Sequence, residues 1–158
     1  MTTSSATTLA VSPAVATSLS RWHSMIASSD FTELMAMTRP DVIFRSPAVH
    51  KPYHSAPVLS LILNTVMGVF QDFTYHREFA SADGLSVVLE FSARVGDREL
   101  KGIDMIRFDA DGKIAEFEVM IRPLSGLQAL AGEMGVRIAA VLAGGTLAGG
   151  KPAGEQPA

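Results

Sequence analysis

Cysteine is absent from the 158-residue chain. That excludes a disulfide scaffold, a thiolate zinc site, an iron–sulfur cluster and a cysteine nucleophile together. Charge is sparse: 18% of residues are Asp, Glu, Lys or Arg, and the formal net charge is −3. Without a basic face to displace counterions, no nucleic-acid partner is expected. Long uninterrupted apolar runs are also lacking. Residues 55–71 carry no charge but contain Pro57, Ser60, Asn64 and Thr65, and residues 138–150 are broken by Gly144, Gly145 and Gly149. Neither stretch reads as a membrane span, so no membrane partner is expected. The start, MTTSSATTLAVSP, has no Lys or Arg before Arg21 and so lacks the basic opening of a secretory signal. The cytoplasm is the default compartment.

What is present is an apolar share of 47%, enough for one core of ordinary domain size. Residues 1–12, rich in Thr, Ser and Ala, are expected to form a mobile arm, and residues 144–158, GGTLAGGKPAGEQPA, a disordered tail. A single domain spans residues 13–143. Ser12 and Pro13 start a helix that runs to about residue 28, with Val15, Leu19, Trp22 and Ile26 as its apolar stripe. Asp30 with Glu33 three positions on predicts a capping box for a short second helix, ended by Pro40. Val42, Ile43 and Phe44 suggest a short strand, and residues 55–70 a further helix. The period then drops to two. Strands are predicted over residues 72–81, 86–95, 99–108 and 114–122, with Gly and Asp turns between the last three. Residues 125–142 read as a closing helix weakened by Gly132 and Gly135. Helices first and strands later imply an α+β fold. The expected form is a cone-shaped curved antiparallel sheet, covered by the N-terminal helices around an apolar cavity.

Strand alternation assigns the faces. Val87, Leu89, Phe91 and Ala93 point one way on residues 86–95, and Ile114, Phe117, Val119 and Ile121 do so on residues 114–122. On the strand between them, Leu100, Gly102, Asp104, Ile106 and Phe108 form the more apolar set. Parity therefore puts Asp104 inside, where burial should raise its pKa. Two readings stay open: a pocket acid able to hydrogen-bond a ligand, or an acid satisfied by solvent, backbone or an Arg. Trp22 is either a plain core residue or one whose indole N–H reaches the pocket. His50 and His54 flank Pro52 and Tyr53 in a loop that could lie at the pocket mouth. Nothing in the spacing supports a metal site, and no cofactor is expected. Candidate ligand contacts are Phe44, Tyr53, Leu89, Phe91, Ile106, Phe117 and Val119.

Trp22, Asp30-Phe31, VIFRSPAVHKPYHS (residues 42–55) and GIDMIRFDADGKIAEFEVMIRP (residues 102–123) resemble the nuclear transport factor 2-like superfamily. The likeness is to its SnoaL-like and ketosteroid-isomerase-like branch. The resemblance implies the cystatin-like cone and often a sheet-to-sheet homodimer. It implies a protonated oxyanion-donor acid at Asp104 and Trp22 in the place of the helix-one tyrosine. The general base falls on Ser46, which cannot be a carboxylate base, so ordinary ketosteroid isomerisation is not expected. A limonene epoxide hydrolase-like site would need an Arg where Gly102 stands. Scytalone dehydratase-like chemistry would have to draw on Tyr53, His50 or His54.

Three classes of function follow from these residues. The first is binding of an apolar polycyclic, steroid- or polyketide-like molecule without catalysis. The second is an enzyme (isomerase, cyclase, dehydratase or hydrolase) with Asp104 and Trp22 as candidate catalytic residues. The third is a partner-binding module. The outer strand face, with Val88, Ile103, Met105, Met120, Glu90, Arg107, Glu118 and Arg122, mixes large apolar groups with both charge signs. That mixture predicts a homodimer through this face.

Overall fold

The structure, a computed structural model, describes residues 9–144. The first helix, α1 (Pro13–Ser28), starts as its sequence dictates: the Ser12 hydroxyl accepts from the Val15 N–H at 3.2 Å, with Pro13 in the first turn. It stops at Ser29, whose left-handed backbone lets the chain turn away. After it come a one-turn 3-10 segment (Met35–Met37), β1 (Thr38–Arg45), α2 (Ala56–Val69), β2 (Gln71–Ala80), β3 (Ser86–Val95), β4 (Arg98–Phe108), β5 (Ile114–Arg122) and α3 (Leu124–Ala143). The five strands form one curved, unclosed sheet in the order β1-β5-β4-β3-β2. All neighbours pair antiparallel except β1 with β5, which is parallel.

The expected second α-helix does not form. Asp30 caps an Asx turn, accepting from the Thr32 N–H at 3.0 Å. Glu33 does not return to it but pairs with Arg21 at 2.9 Å. Half of the capping box is therefore spent on α1, and only the 3-10 turn remains. Pro40 does not end a helix; it lies inside β1. An edge strand tolerates it, because β1 pairs with β5 at Thr38 and then at residues 43–45, with a register shift between. The terminal segments fall mostly outside the described residues. Residues 9–12 within the expected arm are packed: Leu9 and Val11 lie against the core, and the Ser12 N–H donates to the Gly84 carbonyl at 3.1 Å.

The core sits between the concave face of the sheet and the helices. Val15, Trp22, Phe44, Leu59, Leu89, Ile106, Ile114 and Phe117 are among its fully buried side chains. The closing helix α3 extends over the open end of the same face, where Leu130 packs with Phe91, Ala93, Val95 and Leu100. Its seat is tight at Gly126, where an added Cβ would stand 2.9 Å from Leu100 Cβ and 3.0 Å from the Glu99 carbonyl. By length and composition α3 is apolar enough to cross a membrane (20 residues, mean hydropathy 1.2). The two stretches weighed in the sequence straddle or miss this span. Here α3 is a layer of the domain.

Candidate functional site

Between the sheet, α1, α2 and α3 lies a pocket of about 400 Å³. Its wall is apolar almost throughout. α2 supplies Ile62, Val66 and Met67, α3 supplies Leu130, Met134 and Ile138, and the loop after β1 supplies Ser46, Pro47 and Tyr53. The sheet side carries an aromatic stack. Phe73 and Phe91 are stacked with centroids 5.1 Å apart, and Phe70 leans on both at 5.6 and 5.8 Å. Gly102 makes that stack possible, since a Cβ there would come within 2.5 Å of the Phe91 ring.

Asp104 is the one carboxylate among the residues lining this pocket. The register places it between Leu89 of β3 and Val119 of β5, and its relative exposure is 7%. Burial pushes its carboxyl up from 3.8 to about 7, against the pull of a hydrogen bond from Tyr75. That bond, from the Tyr75 hydroxyl to Asp104 Oδ2, is 2.7 Å long. The Tyr75 oxygen in turn accepts from Trp22 Nε1 at 3.0 Å. Desolvation and the neighbouring Asp104 raise the Tyr75 phenol well above its ordinary value. On its far side, His23 meets the Tyr75 ring edge-on at 5.4 Å and pairs with Glu78 at 2.8 Å. A carboxyl held near neutrality in an apolar pocket can donate a hydrogen bond when protonated and accept a proton when ionised.

Six of the nine residues expected at the site line the pocket: Trp22, Phe44, Tyr53, Phe91, Asp104 and Val119. Leu89, Ile106 and Phe117 do not. They face inward but are buried in the core outside the lining. Phe117 is covered by Trp22 and Phe44, with ring centroids at 5.4 and 6.2 Å. Parity distinguishes the two faces of a sheet but not pocket floor from core beneath it. His50 and His54 are exposed and stand outside the lining, whereas Ser46 is part of it. Tyr75 was not singled out in the sequence. Its alternation with Phe73 against Thr74 and His76 is a usable signal, but β2 shifts register on both sides of the Thr74–Tyr75 pairings, which blurs the parity. Among the described residues no group of three or more His, Asp or Glu could hold a metal ion.

A family model described as a SnoaL-like domain matches residues 19–117. No curated protein matches the chain. Among solved structures, a steroid delta-isomerase from Pseudomonas aeruginosa is 62% identical, with a TM-score of 0.84, over 86% of this chain and 99% of that one. An uncharacterised bacterial protein with a cystatin-like fold from Silicibacter pomeroyi is 29% identical, with a TM-score of 0.71, over 80% and 90% of the two chains. SalBIII, an epoxide hydrolase/cyclase-like enzyme of pyran ring formation in the polyether salinomycin, is similar in fold alone. It is 13% identical at a TM-score of 0.58, over 70% of this chain and 92% of that one. With nearly two-thirds of its length matched and its sheet and helices in the same arrangement, the chain belongs to the SnoaL-like domain family and has the nuclear transport factor 2-like, cystatin-like fold.

Proposed function

We propose that this protein takes up an apolar small molecule of several rings, steroid- or polyketide-like, with Asp104 as its polar contact. The observation that carries this reading is a pocket of about 400 Å³ whose wall is apolar apart from one buried acid and a few hydroxyls. That volume lies in the range of small-molecule sites, and one acid in an apolar wall fixes a ligand's orientation. Trp22 is the only tryptophan in the chain and lines the pocket, so binding has a built-in reporter. Titration with a four-ring steroid ketone should change Trp22 fluorescence saturably, at one ligand per chain. Absence of any change up to the solubility limit, with unchanged methyl NMR signals of Met67 and Met134, would dismiss the reading.

The 62% identity to a protein described as a steroid delta-isomerase favours a second reading. In it the pocket belongs to an enzyme, of isomerase, cyclase, dehydratase or hydrolase type, that uses Asp104 as acid or oxyanion donor. The cytoplasm is the compartment that goes with either reading.

A homodimer through the convex face of the sheet is part of the same proposal. Met105 and Met120 are 37% and 48% exposed there, beside Ile103. Glu90 is already held by Arg77 and Lys101, and Arg107 by Asp83. Glu118 and Arg122 have no partner among the described residues. They are the pair that a two-fold axis would bring together twice.

A further inference from the structure

Of the residues that line the pocket, three are exposed: Ala48 and Val49 in the loop after β1, and Gly135 in α3. The mouth therefore lies between that loop and the C-terminal half of α3. The surface around it is apolar. Val49 is 45% exposed, and on α3 Val136 and Leu142 are 68% and 46% exposed. α3 has 20 residues and a mean hydropathy of 1.2, yet only 11% of its apolar stretch is buried. Its two ionisable residues, Glu133 and Arg137, lie one turn apart at 3.8 Å and cancel each other. α2, on the other wall of the pocket, has no ionisable residue at all. The outer face of a helix in a water-surrounded domain ordinarily carries charge. A continuous apolar rim around a pocket mouth marks a contact surface.

Charge around the mouth is one-sided. The chain has 16 Asp and Glu against 13 Lys and Arg, yet residues 42–71, which hold the mouth loop and α2, contain no acid. They contain two cations. Arg45 is held by Glu116 at 3.2 Å, and Lys51, two residues beyond Val49, is exposed with no partner among the described residues. An apolar rim with an unpaired cation and without carboxylates suits an anionic lipid surface, which repels acids and attracts lysine. We propose that the pocket mouth docks on an anionic bilayer, with Val49, Val136 and Leu142 in the headgroup–acyl boundary and Lys51 against lipid phosphates. An apolar molecule then passes between bilayer and pocket without crossing water. Docking stands on the rim alone, and the passage rests on ligand uptake as proposed above. The contact lies in the membrane plane and is no span, because Gly126 and Leu130 tie α3 to the sheet. A second copy of the chain seated on this rim would instead seal the mouth. The expectation from sequence, that no membrane partner exists, weighed apolar runs for spanning and not the face that the fold leaves exposed.

The test floats the full chain with vesicles of phosphatidylcholine and phosphatidylglycerol at about 2:1, and with phosphatidylcholine alone. The chain should float with the mixed vesicles and bind the neutral ones about tenfold more weakly. Lys51→Glu should weaken binding to the mixed vesicles about tenfold and leave binding to the neutral ones as it was. Val136→Glu should weaken binding to both about tenfold, because a carboxylate would have to enter the boundary. Neither residue lines the pocket, so both variants should take a four-ring steroid ketone from solution as the unaltered chain does, read by Trp22 fluorescence. From mixed vesicles loaded with that ketone, the unaltered chain should fill about tenfold faster than Val136→Glu, in step with its tighter docking. No flotation of the unaltered chain, or equal flotation of Val136→Glu, overturns the docking. So does light scattering in which Val136→Glu turns a dimer into a monomer while nothing floats, which assigns the rim to a second copy. Equal filling rates overturn the passage and leave docking standing. Flotation with no Trp22 response to the ketone from either source overturns ligand uptake, and the passage with it, but not the docking.

Discussion

Asp104 is the residue on which the site turns, and its facing was legible from parity because β3, β4 and β5 pair in register around it. Its partner was not legible. Tyr75 meets Asp104 from 29 residues away, across the intervening strand β3, from a strand whose alternation is broken by register shifts. The buried acid has a consequence for stability. Its carboxyl sits near 7 in the folded chain against 3.8 for a free side chain, so between those values the folded state holds a proton that the unfolded state has lost. Its contribution is complete below the unfolded value and is lost as pH rises toward 7. Denaturant unfolding should show the protein losing about 2–3 kcal/mol of stability between pH 5 and 8 relative to Asp104→Asn. Equal pH dependence in the two proteins would mean that the acid is solvated.

At the scale of elements, two glycines that look alike in sequence have opposite roles. Gly102 in β4 sits under the Phe91 ring, with the Met120 carbonyl 2.6 Å from where a Cβ would be. Gly102→Ala should lower the melting temperature, at a cost of about 1–3 kcal/mol, and loosen the aromatic stack. Gly132 in α3 has nothing within 4 Å of its Cβ position. Gly132→Ala should therefore raise stability by about 0.5–1 kcal/mol through helix propensity. Calorimetry of the two variants checks both signs. The helices and strands themselves were readable from caps and periods. α1 starts at Ser12-Pro13, and β3 and β5 end at the Gly96 turn and Pro123, as those residues say they should. The misread element was the one resting on a two-residue signal: Glu33 found Arg21 instead of Asp30.

For the whole molecule, the convex sheet face is what remains to be covered. α3 does not fold over it but lies on the concave side with Leu130 among Phe91, Ala93 and Leu100. Light scattering at micromolar concentration should give a dimer mass. Met120→Glu, which puts a second unpaired acid beside Glu118, should give a monomer that still binds ligand. A monomer mass for the unaltered chain would end the dimer proposal. Salt should weaken the association only modestly, since the face is largely apolar and most of its charges, such as Glu90 and Arg107, already have partners within the chain.

Local rules in the sequence sufficed for most of the secondary structure, the order of layers and the inward side of each long strand. Those depend on caps, turn residues and a period of two or four, all set by neighbours within a few positions. The same alternation, with the family likeness, brought Asp104 and Trp22 to the right face. Only the tertiary structure decided which inward residues line a pocket and which lie beneath it. It alone inserted Tyr75 between Trp22 and Asp104. Depth and partner choice depend on how α1, β2 and α3 close over the sheet, at separations where sequence pattern carries no distance.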